Sequence, residues 1–272
     1  MKKNIIIAFI LLTLSSQAIT RYVTLTGAGA MNGSTWLNAY PSASLQIAIN
    51  ASGTGDEVWV ATGIYYTTTG TNRNISFNMK NGVSIYGSFS GTETLLSQRA
   101  LAAGLTSTLS AEIGVAGNSD NSYHTISNTL LNNTAIIDGF IIRDANDNRA
   151  ATLTDGLGGG IYNNGSTVGN ICSPTIRNCV ITNNQAVFGA GIFNSGYQNG
   201  TANPIIINCV ITSNTATTGG GGIDNFGLAG NASPIITNCI IYNNTAIQRA
   251  GGMYCWGGDN GNANPVVYEN RI

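Results

Sequence analysis

"SPIITNCIIYNNTA", residues 233–246, looks in isolation like a short strand and a polar turn. The same fourteen-residue pattern stands without gaps at 173–186 as "SPTIRNCVITNNQA" and at 203–216 as "NPIIINCVITSNTA". A Gly-led block precedes each copy: "GGGIYNNG" from 158, "GAGIFNSG" from 189, "GGGIDNFG" from 220 and a drifted "AGGMYCWG" from 250. The unit is thus about thirty residues long, and a fixed internal period outranks any domain count made from length. Each unit holds two β-rich runs, one Gly-led and one Pro-led, with Pro174, Pro204, Pro234 and Pro265 at strand starts, where a missing N–H is tolerated.

These runs are rich in Ile, Val and Thr, too short for amphipathic helices, and punctuated by Gly and Asn, so helical solenoids fit poorly. Strands stacked on strands remain. If each unit is one coil, like positions lie above one another at roughly 4.8 Å. Asn178, Asn208 and Asn238 then form a buried column whose amides bond along it within one sheet, and Cys179, Cys209 and Cys239 form the adjacent column. Ile176, Ile206 and Ile236, with Ile181, Ile211 and Ile241, supply apolar columns that no single unit could bury alone. The Cys column reads as small buried apolar groups.

Composition narrows the functions. Charged residues make up 8% of the 272-residue chain, against roughly 25% in ordinary soluble domains. The formal net charge is −1, so neither a nucleic-acid groove nor an anionic membrane surface has an electrostatic basis. The opening "MKKNIIIAFILLTLSSQA" has two Lys, an apolar run and small residues before Ile19, the pattern of a signal peptide over 1–18. Its apolar run is far short of the roughly 20 residues that span a bilayer. An exported chain, extracellular or at the cell surface or outer membrane, is the expectation. Five Cys is an odd number, without a CxxC, and the lone His124 argues against a Cys/His zinc site or a Ser-His-Asp arrangement.

The Gly-Gly-x-Ile and Asn-Cys-x-Ile-x-x-Asn blocks resemble the right-handed parallel β-helix proteins of the pectin-lyase-like group. They are most similar to the polymorphic outer-membrane-protein type, whose repeats carry Gly-Gly-Ala-Ile and Phe-x-x-Asn elements. The matching positions here are Gly159-Gly160-Ile161, Gly221-Gly222-Ile223 and Ile181-Thr182-Asn183-Asn184, with Ile where that type has Phe. The resemblance implies an all-β, right-handed parallel β-helix. A cap region would span 19–54, with a short helix at about Ser42 to Asn50 presenting Leu45, Ala48 and Ile49. The β-helix proper would occupy 55–272, with Asp138-Gly139 at the Asn-Cys position and an incomplete final coil. There, with one extra residue, Asn270 would match Asn238 and Arg271 would take the Cys position. No cap is encoded after it, which predicts a truncated chain or association through the last coil.

Enzymes of that group need clustered carboxylates, but Asp224 is the only carboxylate in 158–250. Its counterparts in the other units are Tyr162, Phe193 and Tyr254, an aromatic column that, with Trp256, suggests packing or glycan contact. Asp144, Asn146, Asn148 and Asp155 mimic part of a calcium loop, although Arg149 stands where the sharp-turn Gly belongs. No catalytic, cofactor or metal residue is assigned on this basis. The leading reading is an exported, non-catalytic surface protein (adhesin, passenger or envelope scaffold) meeting a glycan or another surface protein. A polysaccharide lyase or glycoside hydrolase is the first alternative, a carbohydrate-binding module the second.

Overall fold

The computed structural model describes residues 17–152 and 155–272. Most of the expected signal peptide, 1–18, lies outside the described residues. The described strands form four sheets in which every pairing between named strands is parallel. From Ile136 onward the chain visits the sheets in turn, one strand in each per coil, and so builds a parallel β-helix, right-handed as crossovers between parallel strands are.

The first sheet has eight strands: Thr20–Val23, Glu57–Ala61, Ser84–Phe89, Ile136–Asp138, Thr175–Arg177, Ile205–Ile207, Ile235–Thr237 and Val266–Tyr268. The second runs Gly63–Tyr66, Ser107–Ser110, Phe140–Arg143, Val180–Thr182, Val210–Thr212 and Ile240–Tyr242. The third is made of residue pairs, from Asn146–Asp147 to Thr245–Ala246. The fourth starts with Ile126–Thr129 and continues through the Gly-led blocks, Ile161–Asn164, Ile192–Ser195, Ile223–Phe226 and Met253–Trp256. The region expected as a cap therefore supplies the first strand of the largest sheet. A single-turn 3-10 helix, Ser42–Ser44, leads into an α-helix, Leu45–Ala51, that buries Leu45, Ala48 and Ile49 in the core with Val23 and Val58.

The Pro-led run is two strands in two sheets, not one. Asn178, Asn208 and Asn238 have φ of 53°, 54° and 50°, a left-handed conformation that breaks the run and turns it from the first sheet into the second. Asn enters this region more readily than most residues because its short side chain bonds locally. These side chains are half-buried or exposed, so the expected buried column inside one sheet is corrected to an outward-facing corner. The amides still bond rung to rung, Asn208 Nδ2 to Asn178 Oδ1 at 3.2 Å and Asn238 Nδ2 to Asn208 Oδ1 at 2.7 Å. Asn183, Ser213 and Asn243 make a second corner at φ of 55°, 57° and 53°.

Two other Asn columns are the buried ones. Asn184 Nδ2 donates to Asn214 Oδ1, and Asn214 Nδ2 to Asn244 Oδ1, each at 2.9 Å. Asn128, Asn163, Asn194 and Asn225 link in series at 3.0, 2.8 and 2.8 Å, and Asn225 Nδ2 ends the series at Cys255 Sγ, 3.4 Å away. Each buried amide left unbonded would cost about 1–3 kcal/mol, so these ladders penalise a slip of register. The expected Ile columns lie at 0–1% exposure in the central core. Cys179, Cys209 and Cys239 are buried beside them as free thiols, each donating Sγ–H to the carbonyl two residues before it at 3.2–3.3 Å. Burial pushes the Cys209 thiol up from its ordinary range. The Gly pairs have a steric cause: a Cβ on Gly160, Gly191 or Gly222 would lie 2.4–2.6 Å from the carbonyl oxygen of the next rung.

Two alignments move by one residue. Asp138 pairs with Arg177, Gly139 follows at the corner with φ of 82°, and Phe140 takes the Cys position. At the other end Tyr268 pairs with Thr237, and Glu269 turns the corner with φ of 56°. Asn270 takes the Cys position, where Oδ1 accepts from Cys239 N–H at 2.7 Å and Nδ2 donates to Ile236 O at 2.8 Å. Arg271 then bridges Ile240, and no extra residue is needed. Gly and Glu can turn the corner where the repeat has Asn, because left-handed backbone geometry rather than an amide is what the position requires.

Candidate functional site

The Asp224 column is in register: Tyr162 pairs with Phe193, Phe193 with Asp224, and Asp224 with Tyr254. Two residues further along the same strands, Ser195, Phe226 and Trp256 form a parallel column. Tyr162, Phe193 and Phe226 from the two columns pack with Leu157 as a second apolar cluster apart from the central core. Phe193 and Phe226 stack with ring centroids 6.1 Å apart, and Trp256 meets Phe226 edge-on at 5.4 Å.

Burial divides the proposed glycan contacts. Tyr162 and Phe193 are 8% and 2% exposed and hold the cluster together. Trp256 is 40% exposed and Tyr254 half-buried, so these two can meet a ligand. Beside them lies a cavity of about 60 Å³, walled by Leu157, Phe188, Phe193, Phe226, Tyr254 and Trp256. Asp224 lies on its wall at 1% exposure, and Arg249 lines it from an exposed position. The Arg249 guanidinium stands 4.7 Å from the Tyr254 ring centroid and 5.5 Å from that of Trp256.

Asp224 Oδ2 accepts the Gly220 N–H at 3.0 Å. Burial raises its carboxyl to about 7, against the pull of that bond and of Arg249. Gly219 makes this placement feasible, since a Cβ there would lie 2.0 Å from Asp224 Oδ2. A buried carboxyl in an apolar pocket beside one cation makes this the candidate binding site. Sequence reasoning missed Phe226, which the repeat does display two residues after Asp224, and Arg249, a loop residue that no period marks.

The calcium-like residues have separate partners. Asp144 Oδ2 accepts from Ser110 Oγ at 2.7 Å and pairs with Arg143 at 3.0 Å, whereas Asp155 pairs with Arg149 at 2.6 Å. Asn146 Nδ2 donates to Asn118 O at 2.6 Å, and Asn148 is exposed. Among the described residues, no group of three His, Cys, Asp or Glu is placed to hold a metal ion. The centre of this stretch is instead Asp147, fully buried, which accepts from Arg149 Nε and Nη2 at 2.8 and 2.7 Å and from Leu157 N–H at 3.0 Å. His124 joins it, with Nδ1 bonded to Gly158 O at 2.6 Å and Nε2 3.2 Å from Arg149 Nη2. Burial lowers its pKa, and the neutral ring can donate to the carbonyl while accepting from the guanidinium. This network ties the chain before Ile126 to the chain before Ile161.

The molecule is thus a parallel β-helix with an apolar pocket on its Gly-led sheet that has Asp224 in its wall. The chain belongs to the family described as protein of unknown function (DUF1565), whose profile matches residues 25–265. No curated protein matches it by sequence. Among solved structures it is similar to pectate lyase Pel9A, at 11% identity and a TM-score of 0.43, covering 94% of this chain and 79% of that one. Activity does not transfer at that distance.

Proposed function

We propose that this chain is an exported, non-catalytic β-helix surface protein, an adhesin, passenger or envelope scaffold, that contacts glycans through the Asp224 pocket. The observation that carries the reading is the pairing of exposed Trp256 and half-buried Tyr254 with a carboxyl and a guanidinium at one apolar cavity. Aromatic faces stack on the C–H faces of sugar rings, while a few charged groups fix orientation through hydroxyls. The ladders supply a rigid frame, which keeps the ordering loss on binding small.

The test is a glycan array probed with the mature chain, run beside an assay for uronide release from polygalacturonate. Binding to a defined set of glycans that Trp256→Ala reduces at least tenfold, with no release of uronides, is the expected result. Release of unsaturated uronides that chelation abolishes would overturn it in favour of a polysaccharide lyase, and absence of any glycan binding would overturn the contact itself.

A further inference from the structure

The pocket's dimensions and lining define what it would hold. Its accessible volume of about 60 Å³ admits a small substituent. Most of the walls are apolar side chains, joined by Thr152, Asp224 and Arg249. Asp224 Oδ2 is engaged by Gly220, whereas Oδ1 accepts no hydrogen bond from the described residues. The substituent must therefore offer a methyl to Phe193, Phe226 and Leu157, and an N–H to a buried carboxylate.

We propose that the pocket selects N-acetylated amino sugars: the acetamido methyl enters the cavity, its N–H donates to Asp224 Oδ1, and the sugar ring rests on Trp256. Arg249, held over Tyr254 and Trp256, donates to the acetamido carbonyl or to a ring hydroxyl. An ester or ether of similar size fills the cavity but brings no donor. A free amine brings a donor but leaves the apolar walls unfilled. A buried acceptor left without its donor costs about 1–3 kcal/mol, which sets an expected preference of roughly tenfold or more. This inference rests on the glycan-contact reading and sharpens it to one chemical class.

Calorimetric titration of the mature chain with chitotetraose, cellotetraose and the tetramer of glucosamine separates the two. These probes share a backbone and differ only at the 2-substituent. The expected result is that chitotetraose binds at least tenfold tighter than either of the others. Asp224→Leu should abolish that preference. Apolar residues already occupy this column in neighbouring rungs, so the variant should fold, and circular dichroism checks that it does. Equal binding of all three probes overturns the acetamido selection and leaves the glycan reading standing. Binding of none overturns both, and an unchanged preference in folded Asp224→Leu overturns the role of the carboxylate.

Discussion

Between Ile161 and Ala246 each rung repeats the one before it, whereas between Glu57 and Arg143 successive rungs share few side chains, and the two regions secure the same sheets differently. In the repeating region identical side chains stack, so amides bond their own copies and small residues admit the next rung. In the irregular region the register shifts between Trp59 and Ala61, and unlike groups are fitted to one another. Trp59 stacks on Phe89 at 4.5 Å, and Asp138 lies between Arg99 at 3.2 Å and Arg177 at 2.6 Å. Repetition lets one favourable contact serve many times. Its loss obliges each rung to find a separate solution, and one-off solutions use larger and more charged side chains.

The largest test of this contrast is Asn214→Ala. It removes a buried amide that accepts from Asn184 N–H and Nδ2 and donates to Asn244 Oδ1, Ile181 O and Thr212 O. With several buried groups left unbonded at about 1–3 kcal/mol each, a loss of about 5 kcal/mol is expected in denaturant unfolding. A loss below about 1 kcal/mol would show that the ladder does not stabilise the repeat. Asp138→Ala is the counterpart in the irregular region. It strands Arg99, whose side chain is 7% exposed, and a loss of about 4 kcal/mol is expected. Asp138→Asn should recover only part of that loss, because its single amide oxygen can accept from one of the two guanidiniums and its NH2 faces the other.

Asp224 marks the place where the repeating region departs from its own pattern, and its signature is pH. Its folded pKa, about 7, lies above the ordinary 3.8. Between about pH 4 and 7 the folded chain keeps a proton that the unfolded chain has released, so stability falls as pH rises through that window. Arg249 faces the group and limits the loss. This group alone contributes a decline of about 2–3 kcal/mol from pH 5 to 8, against the rise that buried His124, with its lowered pKa, contributes as pH increases. Asp224→Asn should remove the decline and leave the rise, and an equal slope in both proteins would show that the buried carboxyl makes no such contribution.

The smallest effect is expected at the corner. Asn208→Ala loses two exposed amide bonds and places Ala at φ of 54°, for a loss of about 1 kcal/mol. Asn208→Gly should recover most of that loss, since Gly enters this conformation freely. If Gly were as damaging as Ala, the amide ladder rather than the backbone turn would be the reason for Asn.

Much of the fold was legible because in a solenoid each position is its own neighbour. The period, the Ile and Cys columns and the Pro-led strand starts all follow from copies 30 residues apart. The choice of buried Asn column was not legible. All three columns recur with the same period, and periodicity states which residues stack but not whether the stack points inward or turns a corner. Asp138-Gly139 and Asn270 sit one residue away from their side-chain matches for the same reason: backbone handedness, not side-chain identity, sets the register. At the pocket, Asp224, Tyr254 and Trp256 could be read from the repeat, whereas Arg249 and Leu157 come from connecting loops of no fixed pattern.

By itself the sequence determined that this protein is a stack of thirty-residue rungs with apolar columns inside, because translation along the stack converts sequence period directly into contact. Only the tertiary structure decided which polar column is buried, where each rung bends, and that one interrupted aromatic column meets a loop arginine around a small cavity. Those outcomes depend on backbone dihedrals and on loops packing across the outer face of a sheet, and neither carries a period that a sequence can display.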